Sequence, residues 1–145
     1  AATGLILAVN SGTLKQLETA LETAIPSGAE IEEIFVSLSL AYLRFATAER
    51  NLWSALFEHR MPEGVAVPDW HLAEHAFLIG LIAAPLSQHM PDARQQDIAV
   101  RARTIFAAIH GVISISLESR FIGISPERLE QEVGTLAALL ANNVK

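Results

Sequence analysis

The sequence predicts an all-α fold, a bundle of about six helices, on three observations. Apolar residues recur at helical rather than alternating spacing along most of the chain. The 145 residues are rich in Ala, Leu, Ile and Glu, with 51% hydrophobic but only 6% aromatic residues, which favours an aliphatic helical core and no sheet. Pro26, Pro62-Glu63-Gly64, Pro91 and Pro126 punctuate the pattern at helix-length intervals.

The first helix is expected over Thr3–Ala24 with a break at Asn10-Ser11-Gly12, and ends before Pro26, whose ring pushes the preceding residue out of the helical region. A second, Ala29–Ala48, carries Ile31, Phe35, Leu38, Tyr42 and Phe45 on one face, but Val36, Leu40 and Leu43 lie elsewhere, and a helix apolar nearly all round is a central one. A short third helix, Glu49–Arg60, presents Leu52, Trp53, Leu56 and Phe57. Asp69 is an expected N-cap for a fourth, Trp70–His89, which Pro85 should kink or end early. Pro91-Asp92 opens a fifth reaching Arg120, with Ala102, Ile105, Phe106, Ile109, Val112, Ile113 and Ser116 along one side. Ser125-Pro126 opens the sixth with a capping serine and a proline at the first helical position, and Leu129, Val133, Leu136 and Leu140 follow at helical spacing. These last two helices carry more apolar surface than one domain of this size hides, so part of it is expected to meet a second copy of the chain.

Composition excludes several function classes. A net charge of −6 argues against a chain that grips phosphates by itself. The absence of cysteine removes any disulfide framework or thiolate chemistry and fits a cytoplasmic location. The apolar run Ala76–Leu86 is far shorter than the roughly 20 residues of a bilayer span and contains Gly80 and Pro85, so no membrane association is expected. The opening LILAV has no basic lead-in or cleavage site and is not a signal peptide. Residues 1–145 are read as one domain, and a chain that begins without Met inside a helical pattern is expected to be a fragment of a longer protein.

Ala41–Phe57 (AYLRFATAERNLWSALF), Pro85-Leu86 and Ile109-His110-Gly111-Val112 together resemble, in order and spacing, the C-terminal regulatory domain of TetR-family transcriptional regulators. The subgroup is the one marked by a Trp-His-Gly signature. His110-Gly111 match it, with Phe106 where the Trp is placed, and Ala48-Glu49-Arg50-Asn51 replaces the usual proline-bearing corner. Nothing in the chain resembles the helix-turn-helix that precedes such a domain. The resemblance implies a homodimeric effector sensor that contacts DNA only through that missing domain. It implies no cofactor and no enzymatic activity. Helices two to five would enclose a mostly apolar pocket for a small-molecule effector, and the last two would form a four-helix bundle with those of a partner.

For the pocket wall the expected residues are Leu38, Tyr42, Trp53, Leu56, Phe57, Trp70, Phe77, Phe106, Ile109 and His110. Each is equally readable as packed core, since a pocket wall and a core look alike in sequence. For the dimer the expected residues are Val112, Ser116, Ser119, Leu129, Val133, Leu136 and Leu140, with a second apolar line through Leu139. Ser116, Ser119 and Gly134 would allow close helix approach. His110 could offer an effector a hydrogen bond, with Tyr42 as a second polar handle, or could simply donate to a carbonyl of a neighbouring helix. Gly111 reads as a point of close helix contact.

Two other classes compete. His71-Leu72-Ala73-Glu74-His75 fits H-x-x-E-H, a pattern of some zinc peptidases, but a third ligand has only loosely placed options in His59, Asp69 and His89, and no metal site is expected. A helical adaptor without a pocket would share the amphipathic pattern, although bulky Phe35, Trp53, Phe57, Trp70 and Phe77 on short or kinked helices fit a cavity lining better than a flat docking surface.

Overall fold

Six helices run in the order α1 (Ala2–Ala24), α2 (Ile31–Ala48), α3 (Arg50–Glu58), α4 (Asp69–His89), α5 (Gln95–Leu117) and α6 (Pro126–Asn142), with no strand among the described residues. The computed structural model describes residues 2–58, 63–64, 66, 69–118 and 122–144, and the side chains of all of these except 2, 3, 58 and 70–72. As its all-round apolar pattern requires, α2 is the hub and touches every other helix.

Helix α1 does not break at Asn10-Ser11-Gly12. Leu7, Leu14, Leu17 and Leu21 form one stripe no more than 5% exposed, and the Ser11 hydroxyl is tied to Glu74 of α4 at 2.7 Å. Burying each leucine contributes about 1.5–3 kcal/mol, which outweighs the roughly 1 kcal/mol that a mid-helix glycine costs. Gly28, with φ of 68°, makes the turn into α2, and Glu30 takes the cap in extended conformation, so α2 begins two residues later than expected. The expected end of the third helix, near Arg60, lies outside the described residues.

Asp69 is the first residue of α4 rather than its cap, and the helix runs through Pro85 to His89 without the early end expected there. Leu86, just beyond the proline, is fully buried and anchors that last turn. The start of α5 also shifts, from Pro91-Asp92 to Gln95. Ala93 N–H closes a turn onto the Met90 carbonyl, and Arg94 takes the cap in extended conformation. Ser125-Pro126 opens α6 as expected, but Ser125 caps with its backbone carbonyl, which accepts from Arg128 and Leu129, and not with its hydroxyl.

The inward stripe of α6 is Leu129, Val133, Ala137 and Ala141, all 5% exposed or less and packed chiefly on α2. Leu129 and Val133, expected near the centre of a dimer, therefore belong to the chain's own core. Gly134 also faces inward, since a Cβ there would lie 4.0 Å from Leu40 of α2. Conversely, a Cβ on Gly111 would meet nothing within 4 Å among the described residues, so that glycine serves no close contact with them.

Where α1 meets α4, Glu18 and Glu74 each hold one carboxylate oxygen shut away from solvent with no hydrogen-bond partner among the described residues. Burial, reinforced by the negative charges of Glu74 and Glu22, raises the Glu18 carboxyl above its ordinary value, against the opposing pull of Lys15 and His75. A raised folded-state value means that this group's contribution is fully present at acid pH and is lost as pH rises through that value. Glu18→Gln, which fixes the uncharged form, is expected to stabilise the protein at neutral pH by under about 1 kcal/mol, because the side chain is only partly buried. The gain should vanish below about pH 4, where the native carboxyl is itself protonated. Urea unfolding at the two pH values measures it, and an equal effect at both would show that charge is not the cause.

Candidate functional site

Three helices converge on one hydrogen-bonded cluster of rings. The second contributes Tyr42, the third Trp53 and Phe57, and the fifth Phe106 and His110. The Trp53 indole N–H donates to the Tyr42 hydroxyl oxygen at 2.9 Å, and that hydroxyl lies 2.8 Å from His110 Nδ1. An indole can only donate, so the phenol oxygen is the acceptor there, and its single proton is satisfied by pointing at Nδ1. With the phenol proton assigned to Nδ1, the pairing that leaves none of these three groups unsatisfied, the neutral imidazole carries its own proton on Nε2.

The surrounding rings fix these orientations. Phe106 stacks on His110 with centroids 5.6 Å apart and planes 17° from parallel, and Phe57 approaches the same imidazole to 4.7 Å. Tyr42 meets Trp53, Phe57 and Phe106 edge-on. Such pairs add about 0.5–1.5 kcal/mol each beyond the area they bury. Burial drives the Tyr42 hydroxyl well above its ordinary value, partly offset by the bond from Trp53, so it stays a phenol. Burial also lowers the His110 imidazole, with the Glu118 carboxylate pulling the other way. The relay is therefore uncharged at neutral pH.

A cavity borders this cluster on each of two sides. One, about 40 Å³, is almost wholly apolar. Leu38, Tyr42, Phe106 and Ile109 line it together with Leu21, Phe35, Leu78, Leu81, Ile82 and Ile105, and the Ser39 hydroxyl is its other polar group. The second, about 130 Å³, lies between α3 and α5 and is mixed in character. Trp53, Phe57 and His110 form its ring-lined part, and Arg50, Ser54, Ser114, Leu117 and Glu118 complete it. The Arg50 guanidinium donates to the Leu117 carbonyl, tying the two helices at its mouth.

Seven of the ten expected pocket residues are thus divided between two compartments. Leu56 lines neither and is 6% exposed in the core, while Phe77 is 47% exposed and lines neither cavity. The side chain of Trp70 lies outside the described residues. His110 Nδ1 pairs with the Tyr42 hydroxyl rather than with a backbone carbonyl. Arg50, Ser54 and Ser114 were missed by sequence reasoning. Their signal was spacing: 50, 54 and 57 recur on one face of α3, as do 110, 114 and 118 on α5.

The metal-like pattern on α4 receives a different use. Glu74 accepts from Ser11, and no group of three or more metal-ligating side chains is assembled among the described residues. The His71 side chain and the whole of His59 lie outside them. Of the expected dimer residues, Val112, Ser116, Leu136 and Leu140 remain partly exposed, and Ser119 lies outside the described residues. The Ser116 hydroxyl accepts from the Ile124 N–H at 2.9 Å and so braces the turn between α5 and α6.

Comparison with known proteins gives two findings. A family model described as the tetracyclin repressor-like C-terminal domain matches residues 35–140, from within α2 almost to the end of α6. A solved structure of a protein of unknown function from Rhodococcus sp. RHA1 superimposes with a TM-score of 0.76 at 20% identity, covering 98% of this chain and 72% of that one, a likeness of fold alone. No curated protein matches the sequence.

Proposed function

The chain belongs to the tetracyclin repressor-like C-terminal domain family, and on that premise we propose that it is the effector-sensing and homodimerisation domain of a TetR-like transcriptional regulator acting in the cytoplasm. Its effector is an apolar or amphipathic small molecule bound among α2, α3, α4 and α5. DNA is read by a helix-turn-helix outside this chain. The observation that carries this reading is the Trp53–Tyr42–His110 relay, a satisfied polar line set in apolar rings with a cavity on either side. Ligand sites combine those properties, an apolar lining with a few oriented polar groups.

The apolar cavity has room for about three water-sized spheres, so an effector of drug size has to displace one of its walls. Leu78, Leu81 and Ile82 place α4 as one such wall. A displacement of that kind is what regulation requires. A ligand shifts a conformational equilibrium only by its difference in affinity between the two states, and one that fits both equally shifts nothing.

A thermal-shift panel of amphipathic molecules tests the proposal. A true effector at a hundred times its dissociation constant is expected to add about 2.7 kcal/mol, raising Tm by about 5–10 °C. It should also change the emission of Trp53, which borders the site. A panel of fatty alcohols, ketones and aromatic compounds that moves neither quantity would count against an effector domain.

A further inference from the structure

We propose, resting on the effector-domain reading, that the cavity between α3 and α5 takes a single aromatic ring bearing an oxygen acceptor, held by a hydrogen bond from His110 Nε2–H. Three observations carry it. The first is size: the cavity measures about 130 Å³, and an apolar cavity of about 150 Å³ takes up benzene. One ring fits; a long chain or a fused ring system does not. The second is the wall. Trp53, Phe57 and His110 present ring surfaces to the same space, and Trp53 and Phe57 each sit within 5.4 Å, centroid to centroid, of the imidazole. Aromatic pairs in offset or edge-on geometry gain energy beyond burial, which favours a ring over an alkyl group of equal volume.

The third observation is the fixed donor. Tyr42 accepts from Trp53 and gives its one proton to Nδ1, the pairing that satisfies all three groups, so the neutral imidazole carries its proton on Nε2. His110 lines the cavity, and its Nε2–H is the donor assigned to the ligand. A site built to donate a hydrogen bond discriminates against a ligand without an acceptor, because such a ligand displaces water from the donor and leaves it unpaired. Ser54 and Ser114, the latter donating its hydroxyl to Glu118, make the same wall polar, in keeping with a polar substituent rather than a bare hydrocarbon. The apolar cavity beyond Tyr42 and Phe106 offers neither the donor nor the volume.

The test is calorimetric titration of the native chain with phenol, benzaldehyde and toluene, which share size and differ in the acceptor. Phenol and benzaldehyde are expected to bind at least tenfold more tightly than toluene. His110→Phe should keep toluene binding within about twofold and abolish the preference, and Tyr42→Phe should reduce it by releasing the tautomer. Equal affinity of the native chain for all three overturns the inference, with no variant needed. So does a preference that survives His110→Phe. If none of the three binds while dodecanol does, the ring site is wrong and the effector domain stands. If dodecanol and the rest of the thermal-shift panel also fail, both readings fall.

Discussion

Tyr42→Phe is expected to lower stability by about 2–4 kcal/mol, a large effect for the loss of one oxygen. Deletion leaves two partners stranded: the Trp53 indole N–H and His110 Nδ1. Trp53 is only 5% exposed, so its N–H cannot turn to water, and an orphaned buried donor costs about 1–3 kcal/mol. His110 is half-buried and borders the polar cavity, where water can reach it, so its share is the smaller. For a domain of this length the sum corresponds to a Tm lower by about 5–12 °C. The coupling has its own signature: His110→Phe should cost less in the Tyr42→Phe background than in the native chain.

Acid sensitivity should change in the same variant. In the native fold His110 is held below its ordinary value, so the stability that goes with its neutral ring is whole above about pH 6.5 and declines as pH falls through the folded-state value. With Tyr42 reduced to Phe, Nδ1 is free to take a proton, and that decline should flatten. Urea unfolding between about pH 5 and 8 measures both effects. A loss under about 0.5 kcal/mol with an unchanged pH profile would show that the relay is incidental.

Much of this architecture was legible because helical periodicity reports burial directly. The stripe Leu14, Leu17, Leu21, the all-round apolar α2 and the Ser125-Pro126 start of α6 each have a local cause that the chain carries in one window. The failures were tertiary. Asn10-Ser11-Gly12 has the composition of a break, and what offsets it is burial of the leucine stripe on either side, with Ser11 tied to Glu74, 63 positions away. Pro85 is tolerated where packing of Leu86 outweighs a lost backbone bond.

The site divided in the same way. Tyr42 and His110 stood out as lone polar groups on apolar faces, but nothing short of the fold could place 2.8 Å between residues 68 positions apart. That one contact sets the histidine's tautomer. It also separates an apolar compartment from a polar one, a division that no list of aromatic residues contains. In α6, periodicity gave one line through Leu129, Val133, Leu136 and Leu140 and another through Leu139, but the inward stripe on α2 continues from Leu129 and Val133 through the small Ala137 and Ala141.

Leu139→Glu is expected to convert a dimer to a monomer while leaving the fold intact. With Leu129, Val133, Ala137 and Ala141 committed to the chain's own core, the outward face of α6 retains Leu139, 56% exposed. Its neighbour α5 leaves Val100 54% exposed and Gly111 with open space beside it. Helix α5 is long and apolar enough to cross a membrane by length and composition, yet less than a third of its most apolar window is buried within the chain. A two-fold axis across the α5–α6 hairpin would cover these groups with their own copies, since an isologous interface brings the same patch from each subunit together. Two glutamates then approach each other in a desolvated seam, at a cost of several kcal/mol, or at least a hundredfold in dimer dissociation constant. Leu136 is a poorer choice because it also packs on the core, so its replacement confounds assembly with folding. Leu5, 69% exposed on α1, supplies the control, and Leu5→Glu should leave assembly unchanged. Light scattering should report a native dimer, a dimeric Leu5→Glu variant and a monomeric Leu139→Glu variant whose melting, extrapolated to low protein concentration, matches that of the native chain. A native chain that is monomeric at high micromolar concentration, or a Leu139→Glu variant that stays dimeric, would remove α5 and α6 from self-association.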